Sequence, residues 1–231
     1  MTPHPFEGQP KGSTVSLRMR PKDAATLMLL DRSRDRVRVL MGKRDRKHTF
    51  MPDLYVFPGG RRDRADGSRP FAADLHPDVL ARLLEGEQGE TALRRARGLA
   101  IAAVRELREE TGLAITGKDG DADAGAINLS SLRYVARAIT PPGNVRRFDT
   151  RFFLTFADET SIDPDQISDS DELHDVRWLD IDDVSGLNMP SITQTILEHV
   201  KMQMKLDPSL PFGSSGPFYF ARRGRFHCGI I

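Results

Sequence analysis

The stretch AVRELREETGL, residues 103–113, carries three glutamates within five positions, with an arginine directly before the first of them. On an α-helix, which advances about 100° per residue, Glu106 and Glu110 lie about 40° apart, and Glu109 lies within about 100° of both. Like charges at such spacings repel each other by roughly 0.2–0.5 kcal/mol per pair. Arg105, a bound cation or water must offset this repulsion.

An apolar stripe identifies the helix that carries these glutamates. The stripe consists of Leu99, Ala100, Ala103, Val104 and Leu107. It predicts a helix that begins at Thr91 or Gly98 and ends at Thr111, with Gly112 placed to cap the C-terminus. We therefore expect the three glutamates to lie in the last two turns of a long helix.

Glu106 and Glu110 fall at the border of this stripe, where a carboxylate is partly desolvated and needs a cation as partner. Hard divalent cations prefer oxygen ligands, and two carboxylates one helical turn apart can share one ion or bridge two. A solvated helix face with the intrahelical pair Arg105–Glu109 explains the same residues. The pattern alone leaves both interpretations open.

Charge and cysteine content exclude several classes of function. With 34 basic and 33 acidic residues, the molecule has no overall field that would attract nucleic acid or an anionic membrane. The single cysteine excludes an internal disulfide and suits a reducing compartment. No apolar run approaches the roughly 20 residues of a membrane span, and residues 1–12 lack the apolar centre of a signal peptide. We expect a cytoplasmic protein without nucleic-acid or membrane partners.

The rest of the chain predicts a single mixed α/β domain. Strands are predicted at residues 24–30, 36–41, 54–57, 133–139, 151–157 and 176–179. A short helix has Pro77 in its first turn. Another helix is predicted at residues 191–205, where Ser191 and Gln194 have the spacing of a capping box. We expect a flexible acidic loop at residues 117–126 and a loop-like tail after Pro208.

Residues 103–113 resemble the second half of the Nudix box: arginine, glutamate, two residues, two glutamates, one residue, glycine and an aliphatic residue. VFPGG at residues 56–60 resembles the strand and turn that open this box, and the two motifs together are specific. The resemblance implies the Nudix fold of the α/β (α+β) class. This fold is a mixed β-sheet sandwiched between α-helices, here with a helical and loop insertion after the FPGG turn.

The box is interrupted in this chain. In the usual box five residues separate the second glycine from an acidic residue, and seven more lead to the arginine. From Gly60 that spacing reaches Asp66, and 38 residues then separate Asp66 from Arg105. Glu90 is the alternative counterpart, with a gap of 14 residues to Arg105. The sequence leaves the first acidic position open.

The resemblance also implies a domain division. A Nudix domain is expected at residues 21–206, with an insertion at residues 61–97 inside the box. A flexible N-terminus (residues 1–20) and a C-terminal tail (residues 207–231) would flank it. Such an insertion resembles the branch that includes the peroxisomal acyl-coenzyme A diphosphatases and their bacterial relatives.

The chemistry implied by the resemblance is metal-dependent hydrolysis of a diphosphate. Mg²⁺ or Mn²⁺ would activate the attacking water and neutralise charge on the phosphate oxygens. Glu106 and Glu110 are the first-choice metal ligands. Glu109 is a third ligand or the base that accepts the proton of the water, and Arg105 would hold Glu109 in place.

Further candidates lie outside the glutamate helix. The backbone carbonyl at Gly59 or Gly60 is a plausible metal ligand because glycine lets the main chain approach closely. Glu172 is a candidate for an additional ligand or base. The candidate substrate-binding residues are Arg44, Arg61, Arg146, Arg147, Phe148 and Arg151. Arginine suits phosphate oxygens and phenylalanine can stack on a base, but Phe148 could equally be a core position beside solvent-facing arginines.

The resemblance favours coenzyme A or acyl-coenzyme A as the substrate, cleaved to 3′,5′-ADP and (acyl-)phosphopantetheine. The chain lacks the separate coenzyme A signature that precedes the glycines in other coenzyme A diphosphatases. NADH, ADP-ribose, nucleotide sugars and dinucleoside polyphosphates therefore remain alternative substrates, and a nucleotide sensor that binds without cleaving is the third hypothesis. A homodimer is possible, although no residue pattern predicts a self-complementary surface.

Overall fold

The computed structural model describes residues 19–45, 53–117, 126–184 and 186–231. Most of the predicted flexible N-terminus and of the predicted acidic loop lies outside these residues. Within them the strands are β1 (Lys22–Asp31), β2 (Arg38–Arg44), β3 (Tyr55–Val56), β4 (Gly59–Arg61), β5 (Phe71–Ala73), β6 (Ile127–Asn128), β7 (Arg133–Ile139), β8 (Phe148–Phe156), β9 (Leu173–Asp180), β10 (Pro217–Arg222) and β11 (Arg225–Ile230). The α-helices are α1 (Pro77–Leu83), α2 (Glu90–Thr111) and α3 (Ser191–Leu206), and short 3₁₀ helices lie at Ala65–Ser68 and Ala157–Glu159.

A mixed sheet forms the centre of the fold. Its strand order is β11-β10-β7-β8-β1-β2-β3, with β4 paired to β1 and β9 paired to β2. Strand β1 runs parallel to β8 and antiparallel to β2 and β4. Eight consecutive residues of β1, 24–31, are buried, as expected for a central strand that is covered on both faces.

Helices cover both faces of this sheet. On one face the apolar stripe of α2, including Leu107, packs into a cluster with Leu27 and Phe153. On the opposite face Ile196 of α3 packs into a second cluster with Phe156. The predicted sandwich of a mixed sheet between helices is therefore confirmed.

Helix α2 joins the inserted segment to the glutamate segment. Its 22 residues include both predicted starting points, and Gly112 ends it in the left-handed conformation (φ 78°), with its N–H bonded to the carbonyl of Arg108. The predicted C-cap is thus confirmed, and only glycine adopts this conformation without strain. A continuous helix fixes the glutamates relative to the insertion.

The inserted segment packs against the outer side of α2. Helix α1 begins with Pro77 in its first turn, as predicted, and the Nδ1 atom of His76 accepts a hydrogen bond from the Asp78 N–H. The 3₁₀ helix at Ala65–Ser68 touches α2 closely, because a Cβ on Gly98 would lie 3.1 Å from the Cα of Gly67. Small residues on both sides permit this approach.

The capping-box prediction for α3 was wrong. Pro190 occupies the N-cap position, the cap has no side-chain hydrogen bond, and Ser191 is already helical. The N–H of Gln194 bonds to the carbonyl of Pro190. The fixed φ of proline sets the entry into the helix, so the hydroxyl of Ser191 is not needed as a cap.

The prediction of a loop-like tail was also wrong. Strands β10 and β11 form a hairpin, and β10 adds to the sheet beside β7. Arg223 and Gly224 connect the two strands with positive φ values of 50° and 73°, as tight hairpin turns require. The available sequence signal was this arginine–glycine pair between two segments that contain phenylalanines.

None of the helices formed by the described residues is long and apolar enough to cross a membrane.

Candidate active site

Two glycines bring strand β4 against the glutamate helix and the central strand. A Cβ on Gly60 would collide with the carboxylate of Glu106, and a Cβ on Gly59 would lie 2.6 Å from the Cα of Thr26. The hydroxyl of Thr26 donates a hydrogen bond to the carbonyl of Pro58 at 2.6 Å, which anchors the turn before the glycines. Gly59 is therefore required by the backbone of β1, whereas a side chain at Gly60 would displace the carboxylate of Glu106.

Glu110 is buried beneath this glycine strand. Its side chain accepts a hydrogen bond from the Gly59 N–H at 2.8 Å, and the residue is only 5% exposed. Burial raises the pKa of Glu110 to about 8; the Gly59 hydrogen bond opposes this rise, and the nearby charge of Glu106 adds to it. A carboxyl group in such surroundings is ionised at neutral pH only with a cation close by.

Arg105 organises the residues around Glu110. Its guanidinium contacts both carboxylate oxygens of Asp66 at 3.1 and 3.3 Å, Glu106 at 2.9 Å and Glu109 at 2.7 Å. It also donates to the carbonyl of Arg61. Burial alone would lower the pKa of Arg105, but the bond to Asp66 and the charge of Glu106 outweigh it and raise the pKa.

Asp66, not Glu90, is the acidic residue that reaches this arginine. Asp66 is 1% exposed and also accepts a hydrogen bond from the Asp63 N–H. Glu90 lies at the start of α2 and pairs with Arg94 on the surface. The spacing after Gly60 had pointed to Asp66, but only the fold shows that 38 intervening residues still leave it beside Arg105.

The remaining acids of the motif differ in exposure. Glu106 is mostly buried, and burial raises its pKa; Arg105 opposes the shift, while the charges of Glu109 and Glu172 add to it. The side chain of Glu109 is half-exposed. Glu172 is exposed and lines the same recess as Glu106 and Glu110, so the structure brings this candidate to the glutamates. His174 lines that recess too and bonds to Asp45.

The donor atoms of this cluster fit a hard divalent cation. Carboxylate oxygens predominate, Glu110 is buried with a raised pKa, and the glycines let the main chain approach Glu106. Such oxygen donors are the ligands that Mg²⁺ and Mn²⁺ prefer. Among the described residues, however, no three acidic, histidine or cysteine side chains are grouped closely enough to hold a metal ion.

A cleft of about 300 Å³ opens from Glu106 across the sheet. Its floor is a row of residues in register on four neighbouring strands: Arg61 opposite Ala24, Ala24 opposite Thr150, and Thr150 opposite Ala138. The small side chains in the middle of the row leave room for a ligand. Pro190 and Ile192, at the start of α3, line the cleft from the other side.

The structure separates the candidate substrate-binding residues into two groups. Arg44, Arg61, Arg146 and Phe148 line the cleft, together with Gly59, Gly60 and Glu172. Arg147 and Arg151 do not. Arg147 donates to the carbonyls of Thr140 and Met19, and Arg151 is 4% exposed and paired with acids.

Sequence reasoning missed several cleft residues. Thr26, Thr150 and Thr193 belong to the lining, and Ala24 and Ala138 form its floor. Small and hydroxyl side chains within strands carry no recognisable motif, so only the register of the sheet reveals them. Pro190, at the entry to α3, is another lining residue.

Comparison with known proteins agrees with this geometry. The NUDIX domain model matches residues 20–200. The NUDIX hydrolase from Alicyclobacillus acidocaldarius is 24% identical with a TM-score of 0.58, over 78% of this chain and 91% of that chain. The MutT protein from Methanosarcina mazei Go1 is 14% identical with a TM-score of 0.50, over 82% of this chain and 99% of that chain. At these identities the structural likeness shows the fold. A search of curated proteins found no match.

The family assignment therefore rests on the domain match, and the fold agrees with it. Enzymes of this family are diphosphatases that typically use a divalent cation. Because the matched region covers most of the chain and includes the glycine turn and the glutamate helix, this protein belongs to the NUDIX family and is a Nudix hydrolase.

Proposed function

We propose that this Nudix hydrolase cleaves the pyrophosphate bond of coenzyme A or an acyl-coenzyme A, giving 3′,5′-ADP and (acyl-)phosphopantetheine. The observation that carries the proposal is the continuity of the glutamate cluster (Asp66, Arg105, Glu106, Glu109 and Glu110) with a cleft that has both charged and apolar walls. Glu106 and Arg61 lie at one end, and Phe148 and Ile192 contribute an apolar wall. A nucleoside diphosphate joined to a less polar group needs both kinds of surface.

The resemblance in sequence supports the same substrate. The insertion between Asp66 and Arg105 resembles the branch that includes acyl-coenzyme A diphosphatases. Helix α1 and the first turns of α2 belong to this inserted segment. The inserted segment thus has regular secondary structure and is continuous with α2, the helix that carries the glutamates.

Three glutamates of α2 would hold the divalent cations: Glu106, Glu110 and Glu109, with the main chain at Gly59 or Gly60 as a further ligand. The bound cation would supply charge neutralisation at the diphosphate and activation of water. Glu109 or Glu172 would accept the proton released by the attacking water.

The basic residues have separate tasks in this proposal. Arg105, held by Asp66, fixes the orientation of Glu106 and Glu109 through the contacts at 2.9 and 2.7 Å. Arg44 and Arg61, at the glutamate end of the cleft, would bind diphosphate oxygens, since guanidinium groups match such oxygens in pairs.

Hydrolysis of a substrate panel with Mg²⁺ and with Mn²⁺ tests the proposal. The panel contains coenzyme A, short- and long-chain acyl-coenzyme A, NADH, ADP-ribose, a nucleotide sugar and diadenosine polyphosphates, with products separated by chromatography. We expect selective release of 3′,5′-ADP from the coenzyme A species. Reaction in ¹⁸O-labelled water, followed by mass spectrometry, would identify the phosphorus that is attacked.

The other outcomes are equally informative. Selective cleavage of NADH or a nucleotide sugar would overturn the coenzyme A proposal and leave the hydrolase assignment intact. Tight binding of a panel member without cleavage, in the presence of either metal, would contradict the proposed roles of Glu106, Glu109 and Glu110. The Glu110→Gln variant provides the inactive reference for every substrate.

A further inference from the structure

The cleft has a measurable length, set by the spacing of strands. The row Arg61–Ala24–Thr150–Ala138 crosses three strand-to-strand intervals. At about 4.8 Å per interval the row is about 14 Å long. The cleft can therefore take a ligand that extends well beyond a diphosphate bound at the glutamate end.

The end of the cleft away from the glutamates has a distinct lining. It is formed by Ala138, Thr140, Arg146, Phe148, Thr150 and Phe152. None of these side chains is acidic, whereas Glu106 and Glu172 line the glutamate end. Arg146 is the basic residue of this far end.

Arg146 differs from the two arginines that follow it in sequence. The guanidinium of Arg147 is engaged by the carbonyls of Thr140 and Met19, and that of Arg151 by Asp149 and Asp23. Arg146 is exposed at the cleft and forms no ion pair with any residue in the described part of the chain. Its donors are available to a ligand in the cleft, where a phosphate matches a guanidinium in geometry and charge.

We infer that Arg146 is a specificity-determining residue that binds a second phosphate on the nucleoside half of the substrate, separate from the diphosphate. The inference rests on the proposed diphosphatase function, because it places the diphosphate at the glutamate end. It deepens that function by naming a substrate class: nucleoside diphosphate compounds with an additional phosphate on the ribose. Coenzyme A, with its 3′-phosphate, belongs to this class.

Binding of two nucleotides that differ only in this phosphate tests the inference without turnover. Calorimetric titration would compare 3′,5′-ADP with AMP on the wild-type protein and on Arg146→Gln. We expect wild type to bind 3′,5′-ADP about tenfold more tightly, the scale of one charge-assisted contact at an exposed site. Arg146→Gln should bind both nucleotides with equal affinity. Arg36→Gln is the matched control, since Arg36 is an exposed arginine outside the cleft, and it should keep the preference.

Equal affinities in wild type, or a preference that persists in Arg146→Gln, would overturn the inference. Hydrolysis of coenzyme A and dephospho-coenzyme A gives a second, separate readout. Arg146→Gln should raise KM for coenzyme A with little change in kcat, and should leave dephospho-coenzyme A unaffected. If wild type cleaves neither compound, the proposed substrate fails while the nucleotide titration still decides the role of Arg146.

Discussion

Helix α2 contacts two clusters of charged residues, and the two clusters differ in their ratio of arginines to acids. The first, the strut cluster, joins the start of α2 to the sheet and contains Asp23, Glu87, Asp149, Arg62, Arg95, Arg137 and Arg151. The second, the glutamate cluster, contains Asp66, Glu106, Glu109, Glu110 and Arg105. Arginines outnumber acids in the strut cluster, and acids outnumber the arginine in the glutamate cluster.

Each acid of the strut cluster is paired with an arginine of the same cluster. Arg95 holds both carboxylate oxygens of Asp23 at 2.8 and 2.7 Å. Arg137 does the same for Asp149 at 2.9 and 2.7 Å, and Arg151 contacts Asp149 as well. Burial alone would raise the pKa of Asp23, but Arg95 and its neighbours lower it. Asp23 is therefore ionised at neutral pH through its arginine partners alone.

The glutamate cluster leaves negative charge uncompensated. Within the described residues, Arg105 is shared among Asp66, Glu106 and Glu109, whereas Glu110 accepts a hydrogen bond from the Gly59 N–H and is affected by the nearby charge of Arg44. Both Glu106 and Glu110 consequently have raised pKa values, with burial as the main cause. From this contrast we expect the arginine-rich strut cluster to stabilise the fold, and we expect the acid-rich glutamate cluster to bind a cation.

The largest expected effect follows from removing the buried carboxylate of the acid-rich cluster. Glu110→Gln should lower kcat by on the order of a thousandfold, because a metal ligand worth several kcal/mol at the transition state is lost. The fold should persist, since glutamine has the same shape and still accepts the Gly59 hydrogen bond. Hydrolysis assays and thermal unfolding of the same sample measure both quantities.

Full activity in a folded Glu110→Gln protein would refute the assignment of Glu110 as a ligand. A second comparison uses the metal itself. Mg²⁺ should raise the melting temperature of wild type, because a ligand that binds only the folded state stabilises it. The same titration should shift Glu110→Gln less.

Disrupting the strut cluster should lower the stability of the fold and leave catalysis nearly unchanged. Asp149→Ala leaves Arg137 and Arg151 without their shared carboxylate, whose side chain is 11% exposed. Removing one partner of a buried ion pair costs about 3 kcal/mol. Denaturant unfolding should show this loss, while kcat/KM of the folded enzyme at low temperature stays near wild type. A large fall in kcat with unchanged stability would show that the strut cluster belongs to the active site.

The raised pKa of Glu110 in the glutamate cluster predicts that the stability of the fold depends on pH. The pKa of Glu110 has an ordinary value of 4.5 and is raised by burial in the fold to about 8, so the folded state binds more protons than the unfolded state between these values. The free energy of unfolding should therefore fall as pH rises from about 4.5 to about 8, by at most about 1.4 kcal/mol per pH unit. Denaturant unfolding with a chelator present would measure the slope. Glu110→Gln should show a smaller slope. A wild-type free energy of unfolding that does not change with pH in this range would contradict the raised pKa of Glu110.

Much of the fold was readable because long elements carry strong periodicity. The apolar stripe of α2 and the glycine at residue 112 fixed that helix and its end, and β7 was predicted at residues 133–139, where it lies. The hairpin of β10 and β11 was missed because its strands have only six residues each, β11 is mostly solvent-exposed and β10 is only partly buried. Their pairing depends on the distant strand β7, which no local pattern reveals.

The part of the candidate site that lies on one helix could be predicted from the sequence. The part that depends on contacts between distant segments could not. The spacing of Glu106 and Glu110 indicated a shared face, and the structure places both in the recess beside Glu172. The roles of Arg147 and Arg151 could not be predicted, because the fold brings Arg147 to the carbonyls of Thr140 and Met19 and brings Arg151 to Asp23 of β1. The threonines and alanines of the cleft floor have no chemical signature until the sheet is assembled.

The smallest expected effect distinguishes Asp66 from Glu90, the two candidates for the first acidic position of the Nudix box. Asp66→Asn should lower kcat about tenfold with little change in KM, since Asp66 acts through Arg105, and loss of such a supporting partner typically costs 10–100-fold. Glu90→Gln should leave kcat near wild type, because Glu90 pairs with Arg94 on the surface, away from Arg105. Steady-state kinetics with the preferred substrate measures both variants. If Glu90→Gln were the impaired one, Asp66 would be a structural partner of Arg105 alone, and the inserted segment would contribute its acid from the start of α2.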